Sequence, residues 1–172
     1  MQAPFNLHTN KQTVFSAIEK FLHQQNLKIN KQDFNRPWGG FFVLDEKEAE
    51  KFIALFFPQL TREKISISGK LSPKFLIIAP DKRLSWQYHN RRAEIWKLIE
   101  GKANVATSDN DEETESVVLN KGDIVHLQQG CRHRLIGDKE EWGIVAEIWQ
   151  HTEAEKPSDE DDIIRLQDDF GR

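Results

Sequence analysis

The feature that most constrains this 172-residue chain is a succession of short β-rich segments separated by turn residues, beginning near Lys64. Turn signals such as Pro80-Asp81, Asn120-Lys121-Gly122 and Gly137-Asp138 recur between the segments. Closely spaced short strands of this kind predict an antiparallel sandwich or barrel, and so an all-β fold. The predicted strands cover 64–68, 74–79, 83–89, 94–100, 102–107, 115–119, 123–127, 133–136 and 143–149.

The N-terminal part has a different, helical pattern. Val14, Ile18, Phe21 and Leu22 recur at helical spacing behind residues that can cap a helix. A second helix is predicted from Asp45 to Phe57, where Pro58 ends it, after a short strand at Phe41–Leu44. These patterns divide the chain into an N-terminal helical extension, 1–35, and a β-domain, 36–172, with a helical insertion near 45–63.

Composition limits the classes of function. The net charge of −4 gives no broad basic surface, so we expect no nucleic-acid partner. The single cysteine, Cys131, excludes an intrachain disulfide. No segment is apolar enough to span a bilayer, and the first residues lack the pattern of a signal peptide. The sequence therefore predicts a cytoplasmic protein without a membrane partner.

Four potential metal ligands occur at spacings that strands can bring together. Gln87 and His89 are two residues apart, so they share one face of a strand. Glu94 lies beyond a turn and begins a strand with Glu94, Trp96 and Leu98 on one face, and His133 begins a third strand after a glycine. Two imidazoles, a carboxylate and an amide oxygen suit a divalent metal, with zinc as the first choice and manganese, iron, cobalt or nickel as alternatives.

The remaining histidines and acids have simpler interpretations. His8, His23 and His151 are predicted at the surface, and His126 in the core or in support of the site. The pair Asp161-Asp162 is predicted to be solvated or to cap a helix.

Several motifs in order resemble those of one family. Arg36-Pro-Trp-Gly39, Leu84-Ser-x-Gln87-x-His89, Arg92-Ala-Glu94-x-Trp96, His133-Arg-Leu135 and a C-terminal Asp161-Asp-Ile-x-Arg165-Leu-x-Asp168-x-Phe-Gly-Arg172 resemble type II phosphomannose isomerase, also called mannose-6-phosphate isomerase. The resemblance covers roughly 36–172. It implies a cupin double-stranded β-helix, or jelly roll, with added N-terminal helices.

The resemblance also implies an activity and roles for residues. It implies interconversion of mannose 6-phosphate and fructose 6-phosphate through an enediol, with a metal ion as Lewis acid. Arg92 is the predicted catalytic cation, and Arg165 the predicted phosphate ligand of a sugar-phosphate substrate. The general base is left open between Glu147 and His126. A homodimer is a further expectation, because sandwiches often pair through sheet edges.

Some positions depart from the family pattern. Asn90, Gln128 and Trp149 stand where the family often has histidine, proline and glutamine, and no nucleotidyltransferase half accompanies the motifs. These departures motivate a second hypothesis, a non-catalytic cupin that binds a sugar or another metabolite. A third hypothesis is a different metal-dependent cupin enzyme, such as a dioxygenase or another isomerase, since two histidines and a carboxylate also hold iron in oxygenases.

Overall fold

β-Strands are the main regular structure of the chain, and helices are fewer. The computed structural model describes residues 5–172. The helices are α1 (Lys11–Gln24), α2 (Ala49–Phe56, preceded by the 3-10 turn Glu46–Glu48) and α3 (Arg62–Ile65). The strands are β1 (Ile29–Asp33), β2 (Gly39–Leu44), β3 (Lys74–Ile78), β4 (Trp86–Tyr88), β5 (Arg92–Glu100), β6 (Ala103–Ser108), β7 (Val117–Leu119), β8 (Ile124–Leu127), β9 (Arg132–Gly137), β10 (Gly143–His151) and β11 (Ile164–Gln167).

The strands form two antiparallel sheets. One has six strands in the order β1-β2-β3-β10-β5-β8, and the other has five in the order β11-β4-β9-β6-β7. The order departs from the chain order, so strands distant in sequence become neighbours. In particular, β4, β5 and β9, which carry or adjoin the predicted ligands, are distributed over both sheets. The predicted all-β sandwich is therefore observed in its main features.

The central strands β2, β3, β5 and β10 of the six-stranded sheet are largely buried on both faces. On β5, β3 and β2 the alternate residues Trp96, Leu76 and Phe41 belong to a core that includes Leu135 of the five-stranded sheet. The intervening residues, such as Ile95, Phe75 and Ile77, belong to a second core that also contains side chains of the helices. Strands covered on both faces read as continuous apolar runs, as Phe75, Leu76, Ile77 and Ile78 show.

The helices cover the outer face of the six-stranded sheet. Asn10 caps α1, since its side-chain oxygen accepts from the backbone N–H of Thr13 at 2.9 Å. The predicted apolar stripe of α1 is buried, and the ring of Phe56 on α2 lies 5.0 Å from that of Phe75 on β3. The helices therefore contribute the second core. No helix within residues 5–172 combines the length and hydropathy needed to cross a membrane.

A glycine closes the turn at which β2 begins. Gly39 has a φ of 144°, and a Cβ there would lie 1.9 Å from the carbonyl oxygen of Ile77. Its N–H donates to the carbonyl of Arg36 at 3.1 Å, which closes the turn. This tight approach lets Arg36 and Trp38 face the interior cavity described below.

Two local predictions are wrong. Residues 64–68 are not a strand: Arg62–Ile65 form the short helix α3, and Ile67 is exposed, so no alternating face is available for a sheet. The segment 1–35, predicted as a helical extension, also contains the strand β1. This strand lies at the sheet edge and pairs only with β2, so its polar side chains face solvent and give no apolar alternation.

The C-terminal tail folds back over the end of β10 and buries His151. The predicted surface position of His151 is wrong, because its side chain is fully buried. The backbone N–H of Ser158 donates to His151 Nδ1 at 2.9 Å, so the ring proton lies on Nε2, 2.8 Å from the Ser72 hydroxyl. Burial, followed by the positive charges of Lys70 and Arg92, lowers the pKa of His151 to about 4.

Because His151 is buried in its neutral form, we predict that the stability of the fold decreases at acidic pH. The pKa of His151 is depressed, so its contribution is fully present above the unfolded value near 6.5 and is lost as the pH falls through about 4. Between pH 7 and pH 4, the unfolding free energy of the wild type should fall by up to about 3 kcal/mol more than that of His151→Gln. Chemical denaturation at each pH measures it, and parallel pH profiles would contradict the assignment.

Candidate metal and sugar-phosphate site

Three buried polar side chains from three segments meet between the sheets. His89 directly follows β4, Glu94 lies on β5 and His133 on β9, and each is at most 2% exposed. Glu94 Oε1 lies 3.1 Å from His89 Nε2, and Glu94 Oε2 lies 3.4 Å from His133 Nε2. The ring centroids of the two histidines are 5.0 Å apart. One carboxylate thus faces two imidazole nitrogens.

Backbone carbonyls determine which nitrogen of each histidine carries the proton. His89 Nδ1 lies 2.7 Å from the carbonyl oxygen of Asp162, and His133 Nδ1 lies 2.9 Å from that of Cys131. A carbonyl oxygen only accepts, so both Nδ1 atoms are donors and the neutral rings present bare Nε2 lone pairs to Glu94. Metal-ligating histidines in proteins are held in this way by their other ring nitrogen.

Opposing effects set the charges in this cluster. Burial lowers the pKa of His89, although Glu94 attracts a proton to it, and so favours the neutral ring. Burial would raise the pKa of Glu94, but the attraction of His89 and Arg92 outweighs it and holds that pKa well below its usual range. The two pKa shifts therefore favour an ionised carboxylate at Glu94 and a neutral ring at His89.

The donor set fits a divalent metal ion. In the described part of the chain, Glu94 Oε2 and His133 Nε2 are buried atoms without a hydrogen-bond partner. Lone pairs of an anion and of neutral imidazoles that face each other at 3.1–3.4 Å repel unless a cation lies between them. One ligand atom from each of His89, Glu94 and His133 falls within 4.8 Å of the others. Two nitrogens and a carboxylate oxygen suit zinc and its neighbours.

Two further predicted or possible ligands behave differently. Gln87 is buried and lies opposite His133 in the β4–β9 pair, but its amide oxygen accepts from the Ser85 hydroxyl at 2.5 Å. Its role as a fourth ligand stays a prediction. Burial raises the pKa of the Cys131 thiol. The backbone carbonyl of this residue accepts from His133 Nδ1 and in this way supports the site.

Arg92 touches the proposed ligands directly. Its Nε donates to Glu94 Oε1 at 2.7 Å, and its Nη2 lies 3.2 Å from His89 Nε2. Its guanidinium carbon lies 3.7 Å from the ring centroid of Trp149, a stacking distance. A metal ion on His89 Nε2 would need the same lone pair that Nη2 now faces. Arg92 is therefore both an ion-pair partner of Glu94 and a cation at the site.

A cavity of about 300 Å³ opens onto this cluster. Glu94 and Gln87 line it, whereas His89 and His133, which contact Glu94, are not among its lining residues. Aromatic rings and charges of both signs form the rest of the lining: Arg36, Trp38, Phe41, Lys74, Leu76, Leu84, Arg92, Trp96, Glu147, Trp149, Glu160, Asp161, Ile163, Arg165 and Arg172. Arg36, Arg165 and Arg172 of this lining influence one another's charge, and a group of cations of this kind suits an anionic ligand.

Arg165 reaches the cavity from β11. Its backbone pairs with Gln87 of β4, so the two side chains lie on one face at neighbouring positions. Partial burial, together with the charges of Arg172 and Arg36, lowers the pKa of Arg165, which shows that the three cations are close. Asp168 pairs with Arg172 at 2.9 Å, whereas no carboxylate within residues 5–172 pairs with Arg165.

Sequence reasoning missed Asp162. We predicted a solvated or helix-capping acid, but this side chain is buried beneath the turn that precedes β5. Its carboxylate accepts from the backbone N–H groups of Asn90 and Arg91, both at 3.0 Å, and from the Ser158 hydroxyl at 2.6 Å. Its carbonyl accepts from His89 Nδ1. The motif containing Asp162 was visible in the sequence, but its partner turn lies about 70 residues away.

The two candidates for a general base, His126 and Glu147, differ in their position relative to the cavity. His126 is exposed on β8, so its predicted core or supporting position is wrong. Glu147 on β10 is buried and lines the cavity.

The fold and the site define a class of protein: an antiparallel β-sandwich with a candidate metal site beside a cavity. Comparison with known families identifies the family. The family described as mannose-6-phosphate isomerase C-terminal matches residues 45–168, and the chain belongs to that family. This finding confirms the resemblance drawn from the ordered motifs.

Relatives by sequence are longer proteins. The alginate biosynthesis protein AlgA of Pseudomonas aeruginosa is 27% identical over 73% of this chain and 24% of its own length. A mannose-1-phosphate guanylyltransferase of Salmonella montevideo is 24% identical over 94% of this chain and 28% of its own length. The chain thus spans about a quarter of the curated relatives it matches.

Solved structures support the fold alone. Vicilin from Corylus avellana matches with a TM-score of 0.54, 18% identity and coverage of 81% of this chain and 36% of its own. The capsular polysaccharide assembling protein CapF from Staphylococcus aureus gives a TM-score of 0.52, 13% identity, and coverage of 82% and 34%. Both likenesses agree with the mostly β architecture of two antiparallel sheets that the cupin jelly roll implied.

The hidden support by Asp162 gives a prediction. Asp162→Asn keeps the size of the side chain but loses acceptor capacity for the N–H groups that hold the His89–Arg92 turn. Zinc affinity, measured by competition with a chromophoric chelator, should fall about 10- to 100-fold. Asp161→Asn, at the exposed neighbouring position, is the matched control. Equal affinities for the two variants would remove Asp162 from the support of the site.

Proposed function

We propose that this chain is a metal-dependent isomerase of sugar phosphates and that mannose 6-phosphate and fructose 6-phosphate are its substrate pair. The observation that carries the proposal is the buried cluster of His89, Glu94 and His133, with Arg92 against it. Glu94 and Arg92 line a cavity that is also lined by Arg165, which has no ion-pair partner within residues 5–172. The family membership supports the same reaction class.

The chain's own residues would divide the work. His89, Glu94 and His133, with Gln87 as the predicted fourth ligand, would hold the divalent ion, zinc first among the candidates. When bound, such an ion supplies Lewis acidity toward the two sugar oxygens that exchange the carbonyl group. The backbone carbonyls that hold each Nδ1–H keep the imidazoles oriented before substrate arrives.

Arg92 would stabilise the negative charge that develops on the sugar. Its Nη1 is held by the Ser158 hydroxyl at 2.8 Å and by the carbonyl of Asp159 at 3.0 Å. Among residues 5–172, Nη2 has His89 Nε2 as its one hydrogen-bond partner, and it would be free to bind an oxyanion once that lone pair is taken. A planar guanidinium anchored on one side is a preorganised donor for an oxyanion.

Arg165 would bind the phosphate. It lies beside Gln87 in the β11–β4 pair and close to Arg36 and Arg172. A phosphate bound by Arg165 would therefore lie near the proposed metal ligands. Arginine forks match phosphate oxygens in pairs. A cavity of about 300 Å³ is within the size range of small-molecule sites.

The isomerase proposal is tested with the purified chain loaded with zinc, manganese or cobalt. A coupled assay should detect fructose 6-phosphate formed from mannose 6-phosphate. A panel of other hexose and pentose phosphates defines the preference. Absence of turnover on every sugar phosphate with every metal would reject the proposal.

Removing one imidazole should separate this site from exposed histidines. His89→Ala should lower metal affinity by about 100-fold or more and abolish turnover, since it deletes a proposed ligand rather than its support. His126→Ala, at an exposed position on β8, is the matched control and should keep both properties. Calorimetric metal titration and the coupled assay measure the pair, and undiminished metal affinity in His89→Ala would contradict the ligand assignment.

Changing the shape of the cation at position 92 should affect turnover without loss of metal. Arg92→Lys keeps the charge but loses the fork and the stack on Trp149. We expect kcat to fall about 100-fold. Metal affinity should be unchanged or tighter, because the guanidinium no longer competes for His89 Nε2. Unchanged kcat would remove Arg92 from the mechanism.

One observation favours a second candidate, a sugar-phosphate-binding domain without turnover. Trp149 carries Arg92 on its ring, and Arg92 is further held by several partners, which restricts the cation proposed for catalysis. Calorimetry that shows sugar-phosphate binding by a metal-loaded chain without isomerisation would favour this candidate.

A further inference from the structure

A buried carboxylate on the cavity wall is not used by the proposed metal cluster. Glu147 on β10 is 3% exposed, and its Oε1 accepts from the indole Nε1 of Trp96 at 2.9 Å. Its Oε2 is buried without a hydrogen-bond partner among residues 5–172. A buried carboxylate oxygen with no partner is costly for folding, so this atom calls for a role toward a ligand in the cavity.

The nearest cation neutralises Glu147 only in part. Lys74 Nζ lies 3.7 Å from Glu147 Oε2, but it lies 2.7 Å from Glu160 Oε1 and above the ring of Trp149 at 4.1 Å. Burial, then the negative charge of Glu94, raises the pKa of Glu147 to about 7 against the opposing effect of Lys74. Such a carboxyl group can take up and return a proton near neutral pH.

Most other acids and bases near the cavity are engaged elsewhere, and Asp161, which also lines it, is exposed to solvent. Glu94 faces the two imidazoles and Arg92. Glu160 is paired with Lys74, and despite burial the charge of Lys74 helps to lower its pKa. Both ring nitrogens of His151 are taken by Ser158 and Ser72. Glu147 therefore lines the cavity and has one carboxylate oxygen without a hydrogen-bond partner among residues 5–172.

We propose that Glu147 carries the proton between the two reacting sugar carbons, an inference that rests on the isomerase function proposed above. Its carboxylate takes the proton from carbon 2 of the open-chain aldose, and that C–H electron pair forms the double bond of the enediol as the C1 carbonyl oxygen takes a proton from water. The hydroxyl on carbon 2 then gives a proton back to water as its O–H electron pair forms the new carbonyl. The double-bond pair takes the proton from Glu147 at carbon 1, so no oxidant or reductant is consumed.

The test uses Glu147→Gln in the full, metal-loaded chain with mannose 6-phosphate. Gln has nearly the same shape and can still accept from Trp96, so the fold and the metal cluster should persist. We expect kcat to fall 100-fold or more, with KM and zinc affinity within about threefold of the wild type. Glu147→Asp, which retains a carboxylate, should recover part of kcat, a rescue that a purely structural role would not produce.

The outcomes distinguish the two proposals. An active wild type with undiminished kcat in Glu147→Gln overturns the proton-transfer role and leaves the isomerase function standing. Loss of zinc affinity together with kcat also overturns it, because Glu147 would then belong to the metal cluster. A wild type inactive on every sugar phosphate rejects the isomerase function itself, and the role of Glu147 with it.

Discussion

The structure depends on one buried carboxylate that faces two imidazoles. Glu94 is removed from water, its charge is paired with Arg92, and its two oxygens face the Nε2 atoms of His89 and His133. Each of these groups is costly to bury alone, so their positions must be determined together. The carbonyls of Asp162 and Cys131 orient the imidazoles, and the tail residue Ser158 holds both Arg92 and Asp162. The polar cluster therefore links both sheets to the C-terminal tail.

The central strands of the six-stranded sheet are buried on both faces, and this apolar packing offsets the cost of burying the polar cluster. Helices α1 and α2 cover its outer face with the Phe56–Phe75 contact and its neighbours, so the core outside the site consists of apolar side chains. The inner face of the same strands can then carry Glu94 and Glu147 toward a cavity. Strands β5 and β10 each supply an apolar residue to the helix side and a polar one to the site at successive positions, which is the period of two of a strand.

Much of this arrangement was predictable from local pattern. The alternation Glu94, Trp96, Leu98 gave the inward face of β5, the Gln87–His89 spacing gave a shared face, and the ordered motifs gave the family. Features that depend on distant chain segments were not predictable. Asp162 is buried only because the tail returns to the His89–Arg92 turn, and His151 for the same reason. The choice between Glu147 and His126 required knowledge of which sheet face each residue presents.

The central claim is that His89, Glu94 and His133 bind one metal ion together. X-ray absorption spectroscopy of the zinc-loaded chain tests it most directly. The account predicts a first shell of nitrogen and oxygen at about 2.0–2.2 Å with the outer-shell scattering of two imidazoles. A spectrum with sulfur at about 2.3 Å, or without imidazole scattering, would contradict it, since it would place the ion on Cys131 or outside the cluster.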